Sequence, residues 1–498
     1  MIFKLKNLHD DEHTTNETLL WDDYVLLSPA QDFIGGTACF CIYLTRRVTD
    51  QDGYVMSVRE PFLITSNREL FPLTYRDLSA RRMRLARANQ VPADTNRWAT
   101  GLETTNSVYA FIHGTANVEP DFLFEKIEGL FRRYLEYPDD LYYSFLTLWC
   151  IGTYLFMLFD SYPYVYLWGT SRAGKTRTME IAEPLCFNSM MAASMSDAVL
   201  FRSADNGRST LFYDEAARLK SRPKGNRADG LGIINSGYKR SGLVMRCCGG
   251  GDAPTFFSTY SPKMFAGIDL LDPIAADRTI TLNFLRAKGK VQKLNYRRVK
   301  HEFAEIRNAL YVFAMTYHRE ISEIYDNQDM VDGLQDREDE IWSPIFALAR
   351  FFDAQRLDRS KEKAELLLDK MIRLALSCRD RKQAEDMENN LDERILSCVL
   401  EFTREYKPLS IPGRERAYYL SDHILVHANA LEGLEHVTKN YLTRTLSKLN
   451  VLQYREYLRA NPCTGEIDRS QKQRLYYMID PERLRDAAER YMGRGGNS

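Results

Sequence analysis

At 498 residues the chain is too long for one hydrophobic core, and 44% hydrophobic with 12% aromatic residues supplies enough apolar side chain for two to four globular domains. A formal net charge of −1 excludes a globally basic nucleic-acid binder, so any such contact must come from local patches. Nine cysteines without CxxC spacing or a Cys/His quartet argue against zinc modules and disulfides and predict reduced thiols in a cytoplasmic protein.

The opening "MIFKLKNLHDDEHTTNET" has no basic n-region, apolar core or small-residue cleavage site, so export is not expected. Residues 1–115 read as a β-rich N-terminal domain: "WDDYVLLS", "TACFCIYLTRRV" and "GYVMSVREPFLITS" are alternating or β-branched runs between Gly, Asp and Asn turn signals. The domain closes on "RDLSARRMRLARANQ", where Arg76, Arg81, Arg82, Arg84 and Arg87 predict a basic helix, its face solvated rather than set against DNA. Residues 116–160 form a helical connector, with apolar residues at helix spacing in "PDFLFEKIEGLFRRYLEY". The uncharged stretch Tyr142 to Phe159 imitates a membrane span, since at about 1.5 Å per residue it covers most of a bilayer core. Asp160 ends it, however, and an α/β strand follows at once. A helix buried under that core is expected, and no membrane contact.

Residues 161–287 carry the chemistry. In "YLWGTSRAGKTRTMEI" the residues Gly169, Thr170, Ser171, Arg172, Ala173, Gly174, Lys175 and Thr176 fit G-x-x-x-x-G-K-[ST], preceded by the strand "YVYLW" and followed by a helix-compatible run. The glycines let backbone N–H groups turn around phosphates, Lys175 reaches the β and γ oxygens, and the Thr176 hydroxyl ligates Mg²⁺. About 40 residues on, "STLFYDEA" ends an apolar strand in Asp214 and Glu215: the first is placed to hold the Mg²⁺ shell, the second to polarise the attacking water. With no N-K-x-D guanine-reading motif, ATP is expected over GTP.

Next, "GYKRSGLVMRCCGGGDAPTFFSTYSPKMFAGI" reads as two strands about a glycine-rich turn, the second continuing into a strand with polar residues at its end. Either Thr259 or Ser261 then senses the γ-phosphate from between the two acidic strand tips. In "LLDPIAADRTITLNFLR", Arg278 precedes a β-branched strand; it is either an ordinary surface residue or one that reaches a neighbouring subunit's nucleotide.

Residues 288–385 are mostly helical, and "CRDRKQAEDMENNLDER" reads as a linker or an exposed helix. Residues 386–498 form a unit of three helices ("DERILSCVLEFTREY", "SDHILVHANAL", "HVTKNYLTRTLSKLNV") and two strands about an Asn-Pro and Thr-Gly turn, a winged-helix pattern. His423 and His427 share a helix face, but without further ligands nearby no metal is expected there. Between Val437 and Met478, eight basic residues stand against three acidic ones. Lys439, Arg444, Lys448, Arg469, Lys472 and Arg474 are the DNA-contact candidates, with the third helix in the major groove and the ribbon on phosphates; the alternative is a winged helix used only for protein contact. Tyr476 and Tyr477 are expected in its core.

The ordered set of phosphate loop, DE strand, "SGYKRSG", "YSPKMFAGI", "DPIAADRTITL" and "QDREDEIWSPIFALARFF" resembles the AAA+ helicase-like ATPases of plasmids, phages and staphylococcal cassette elements, related to superfamily 3 and minichromosome-maintenance-like helicases. The resemblance covers about residues 120–370 plus the C-terminal domain. It implies a P-loop AAA+ core with a helical lid, a homo-oligomeric ring of six, ATP and Mg²⁺ at subunit interfaces, Arg278 as a finger acting in trans and Arg337 as a lid arginine. Arg172 departs from the small residue usual at its position. The hairpin tip "GGGD" lacks the gripping lysine or aromatic residue of related motors, which leaves Lys239, Arg240 and Arg246 as its DNA contacts. The function expected is an ATP-dependent DNA helicase or translocase on single-stranded or forked DNA, replicating a mobile element. The rival is an AAA+ initiator, loader or defence-system ATPase that binds DNA without unwinding it.

Overall fold

The computed structural model describes residues 24–49, 53–86, 92, 97–98, 107–192, 197–214, 234–247, 254–268, 271, 273–357, 365–389, 391–411, 417–431 and 434–492. Glu215, Arg87, the hairpin tip and the C-terminal "GRGGNS" lie outside them. The chain is a mixed α/β protein of two compact units, residues 1–376 and 377–498.

The first unit opens with β1 (Val25–Leu27) and the antiparallel meander β2 (Gln31–Ile34), β3 (Thr37–Thr49), β4 (Val55–Thr65) and β5 (Leu70–Pro72). In β3 the run Ala38 to Ile42 is buried on both faces, while Thr45 to Thr49 stays largely exposed. One half of the long hairpin therefore docks and the other projects. The docked half meets the rest of the unit through Phe40, which packs on Phe187 and Tyr311, and through Gln31, whose Nε2 donates to Tyr154 O at 2.7 Å.

The basic helix expected after this sheet does not form. A five-residue helix, α1 (Tyr75–Ser79), capped by Thr74, contains only Arg76; Arg82 adopts a left-handed φ of 54°, and Arg84 lies in β6 (Met83–Leu85). Parallel pairing of β6 with β1 gives those backbone groups partners across the chain, which outweighs the local helix preference.

Next come α2 (Ser107–Ile112), α3 (Pro120–Tyr134) and α4 (Leu141–Gly152). Helix α3 buries one face, as its periodicity predicts. By contrast α4 is apolar all round, and Tyr142 through Gly152 are all buried, so the stretch that imitates a membrane span lies in the core, helical to Gly152 and followed by turns and a short 3-10 segment, Phe156–Leu158. Among the described residues no helix is long and apolar enough to cross a membrane. Two polar ends of this aromatic core find carbonyl partners: Trp149 Nε1 donates to Pro163 O at 2.9 Å and Tyr162 OH to Trp149 O at 2.6 Å.

Around α4 is built a five-stranded parallel sheet. The chain runs β7 (Tyr164–Gly169), α5 (Lys175–Ala182), β8 (Met190–Ala192), α6 (Asp197–Gly207), β9 (Leu211–Tyr213), the antiparallel hairpin β10 (Leu243–Cys247) and β11 (Pro254–Ser258), β12 (Lys263–Gly267), α7 (Pro273–Ala276) and β13 (Thr279–Phe284). The spatial order is β13-β7-β12-β9-β8, so β12 lies between the strand of the glycine-rich loop and the strand that ends at Asp214. Helices α8 (Tyr296–Asp326) and α9 (Asp336–Leu357) pack on each other and on α3, which completes the unit.

Within α10 (Leu367–Asn389) falls the boundary to the second unit; the polar segment read as linker or helix is helical through Asn389. The second unit holds α11 (Leu391–Glu405), β14 (Leu409–Ser410), β15 (Ala417–Leu420), α12 (Ser421–Asn429), α13 (Lys439–Lys448), β16 (Leu452–Leu458), β17 (Arg474–Ile479) and α14 (Pro481–Met492). Its antiparallel sheet has the order β14-β15-β17-β16. The three helices read from periodicity are present, and Tyr476 and Tyr477 are fully buried. Strand β15 and helix α14 add to that reading; α14 is amphipathic, with Leu484 and Ala487 buried.

Candidate functional site

Loop 169–174 leaves the carboxyl end of β7 and enters α5 at Lys175. Its glycines answer to two constraints. An added Cβ on Gly169 would lie 2.2 Å from Phe284 O, because β13 runs alongside in register Phe284 with Gly169. Gly174, the residue before the helix, has φ +93°, a left-handed turn that brings the α5 N-terminus onto the loop. Arg172 also has a left-handed φ of 63° and is exposed, so the loop bends there without a glycine.

Lys175 folds back over the loop, its Nζ donating to Gly169 O at 2.6 Å and Thr170 O at 2.7 Å. Burial lowers its pKa, and the nearby Asp214 carboxylate opposes that shift. Thr176 Oγ1 donates to Asp214 Oδ2 at 3.0 Å. A hydroxyl and a carboxylate from two elements thus converge at the helix N-terminus, a hard-oxygen pair of the kind that suits Mg²⁺. Glu215 lies outside the described residues.

One residue here escaped the sequence reading. Arg286 lies two positions beyond β13, and its Nε donates to Ser171 O at 3.3 Å. Only the parallel register of β13 with β7 brings it to the loop, and register is not written in a lone arginine after a strand.

Other candidates lie at the opposite end of the sheet. Thr259 and Ser261 precede β12 rather than ending it, and the carboxyl end of that strand, beside Trp168, is Gly267. Six residues at about 3.3 Å each put Ser261 about 20 Å from the loop's level. Neither can sense a phosphate there. Both are fully buried: Thr259 Oγ1 lies 2.9 Å from Ser236 Oγ, and Ser261 Oγ accepts from Lys263 Nζ at 3.0 Å. Lys263 Nζ donates further to Thr259 O, Ser261 O and Tyr164 OH, each at 3.1 Å.

Arg278 is at the same amino-terminal end, since Thr279 pairs with Tyr164. Its guanidinium lies over the Tyr238 ring at 5.3 Å and donates to Ile274 O. Arg337 lies over the same ring at 5.4 Å and makes ion pairs with Asp277 at 3.6 Å and Glu340 at 3.5 Å. These partners hold Arg337, the lid-arginine candidate, beside Arg278, a sheet length from its own chain's loop. Lys239 pairs with Glu340 at 2.5 Å, a hydrogen bond that raises its pKa, and the Arg240 backbone N–H donates to Asp160 O. Both stay at this end.

The hairpin β10–β11 rests on α6. Phe257 packs on Phe201 with ring centroids 4.7 Å apart, Arg246 lies over the same ring at 5.6 Å, and Ser258 N donates to Asp205 Oδ1 at 2.8 Å. The outward face carries Leu243 and the cross-strand pair Met245 (59% exposed) and Phe256 (52% exposed).

In the second unit the cationic candidates separate into two groups. Lys439 is paired with Asp422, and Lys448 with Asp392 at 2.7 Å. Arg444 on α13 and Arg469 and Lys472 between β16 and β17 are exposed, whereas Arg474 on β17 is half-buried.

No family model matches the chain, and no curated protein matches it. Among solved structures the chain is similar to "SCCmec type IV Cch - active helicase", with 10% identity, 93% of this chain and 98% of that chain covered, and a TM-score of 0.34.

Proposed function

We propose that this chain is an ATP-hydrolysing AAA+ motor, a DNA helicase or translocase that works as a ring of identical subunits on single-stranded or forked DNA and replicates a mobile element. The observation that carries the reading is the meeting of Lys175, Thr176 and Asp214 at the carboxyl end of a parallel sheet, where α/β folds take their ligands. The resemblance in motif order supports the same class.

In this reading, backbone N–H groups of the loop and of the α5 N-terminus cradle the phosphates, and Lys175 exchanges its two loop carbonyls for phosphate oxygens. Thr176 and Asp214 hold Mg²⁺, and Glu215 polarises the attacking water. Bound ATP supplies the phosphoanhydride whose cleavage drives the cycle. Arg278 serves the neighbouring subunit, because its end of the sheet cannot reach its own loop. The second unit, read as a winged helix, contacts DNA.

A second reading, a loader or initiator whose cycle changes assembly rather than moving DNA, is favoured by one observation. The outward hairpin face of Leu243, Met245 and Phe256 is apolar and better suited to another protein surface than to phosphates.

Strand displacement on a forked substrate, run beside ATP turnover, tests both. The motor reading expects unwinding that Glu215→Gln stalls with ATP retained, and a loss of turnover of roughly 100-fold or more in Lys175→Ala. Hydrolysis without displacement leaves the loader. Absence of Mg²⁺-dependent turnover overturns both.

A further inference from the structure

Strand pairing delivers Arg286 to the glycine-rich loop. Phe284, the last residue of β13, is opposite Gly169, and two further residues carry the chain at most about 7 Å past that pair, to the height of the loop. There Arg286 Nε donates to Ser171 O at 3.3 Å, while Lys175 Nζ holds the two preceding carbonyls, Gly169 O and Thr170 O. Consecutive carbonyl oxygens of the loop are thus taken by two cations, one from α5 and one from the segment after β13. That segment is held in place. Glu136 accepts from Lys288 N at 3.2 Å and from Gly289 N at 2.8 Å, and a Cβ on Gly289 would lie 3.0 Å from Glu136 Oε2. Leu135, beside Glu136, comes within 3.4 Å of where a Cβ on Gly174 would stand. The stretch just after α3 therefore touches both the end of the loop and the backbone that carries Arg286.

The guanidinium is not used up by this contact. At 3.3 Å the bond is longer than the usual N–H···O range, which ends near about 3.2 Å, and it engages one nitrogen of a fork that has several donors. Arg286 is exposed, and no carboxylate among the described residues is paired with it. Two acids of this region are engaged elsewhere, Glu136 with the backbone N–H groups of Lys288 and Gly289, and Asp214 with Thr176 Oγ1. From residue 278 to residue 301 the sequence has no Asp or Glu, and Lys288, Lys290 and Lys293 follow Arg286. The field beside the loop is therefore positive on this flank. A phosphate, charged and able to meet the guanidinium fork with two oxygens, is a better partner for it than a neutral carbonyl.

We infer that Arg286 is a second cationic ligand of the nucleotide's phosphates, supplied by the same chain as the loop. It gives up Ser171 O for phosphate oxygens when nucleotide enters, as Lys175 gives up Gly169 O and Thr170 O. The inference rests on the nucleotide reading of the loop and on no neighbouring subunit. The two ends of β13 then have separate duties: Arg286 binds its own chain's nucleotide, and Arg278 is left for another's.

The test is calorimetric binding of ATP and of inorganic tripolyphosphate, each with Mg²⁺, to the full chain as parent, Arg286→Ala, Arg286→Lys and Lys175→Ala. Arg286→Ala should weaken both ligands by about tenfold or more, the loss expected for a hydrogen bond to a charged group, and Arg286→Lys should recover part of it. A residue that merely props the loop would act before any ligand arrives. Hydrogen exchange of loop amides 169–176 in the nucleotide-free Arg286→Ala chain should therefore match the parent. Unchanged affinity for both ligands overturns the inference. So does a loss confined to ATP, which would put the guanidinium on base or ribose, and so does faster loop exchange without nucleotide, which would make Arg286 a prop. A parent chain that binds neither ligand overturns the nucleotide reading together with the inference. Binding that Lys175→Ala abolishes and Arg286→Ala leaves intact removes the arginine alone.

Discussion

Lys263 shows how one residue can be decisive without touching a ligand. Its ammonium is fully buried among the Tyr164 hydroxyl, the Thr259 and Ser261 carbonyls and the Ser261 hydroxyl, all of them neutral. Burial draws its pKa down to about 7. The unfolded chain keeps the proton to about pH 10.4, so between about 7 and 10.4 the unfolded state binds a proton that the fold does not. Stability therefore rises with pH across that window, by up to about 1.4 kcal/mol per unit, and below it the fold bears the full cost of a buried charge. Urea unfolding of the parent and of Lys263→Met at pH 7 and pH 9 should show the difference in stability moving toward the parent at the higher pH. All other groups cancel in that comparison, and parallel behaviour would mean that the ammonium is solvated. The same lysine opens β12, so Thr259 and Ser261, read in the sequence as polar residues at a strand end, stand before that strand and not at its loop-side tip.

At the level of elements, the hairpin β10–β11 should behave as a separately melting piece. It pairs with no other strand among those described, and its attachment to α6 includes the Phe201–Phe257 contact, Arg246 over the Phe201 ring and the Asp205 bond to Ser258. Truncating Phe201 to alanine removes the buried ring under it, a change of about 3–5 kcal/mol when the cavity does not collapse. Hydrogen exchange in Phe201→Ala should then show faster amides from 243 to 258 and unchanged protection in β7 and β12; faster exchange throughout the sheet would instead make the hairpin part of the core's cooperative unit. Elements of this kind were legible where pattern and period agreed. The strand before the glycine loop, the apolar strand ending at Asp214 and the amphipathic α11 and α13 all declare themselves locally. What stayed hidden depends on pairing across the chain. Parallel pairing of β6 with β1 turned an arginine-rich segment away from helix, and the insertion of β12 between β7 and β9 decided which end of each strand faces the loop. For the same reason Arg286 reaches the loop without a local signal.

On the scale of the whole molecule, the separation between Lys175 and Arg278 predicts that the catalytic unit is larger than one chain. Strand β13 carries Arg278 just before its first residue and meets Gly169 at its last, so the guanidinium begins about 20 Å from the phosphate loop and is held there by Tyr238 and the Ile274 carbonyl. No rotamer spans that distance. If Arg278 acts on a γ-phosphate, it must be another subunit's. Arg278→Ala should then bind ATP normally yet lose turnover by about 10³-fold or more, as removal of a finger arginine does. Lys175→Ala should fail at binding. Mixed in equal amounts, the two dead variants should regain activity, because in a randomly assembled ring about a quarter of the interfaces set an intact loop from an Arg278→Ala subunit against an intact arginine from a Lys175→Ala subunit. A mixture as inactive as its parts would place Arg278 in a structural role beside Arg337, and the trans interface would have to be sought in other residues at that end of the sheet.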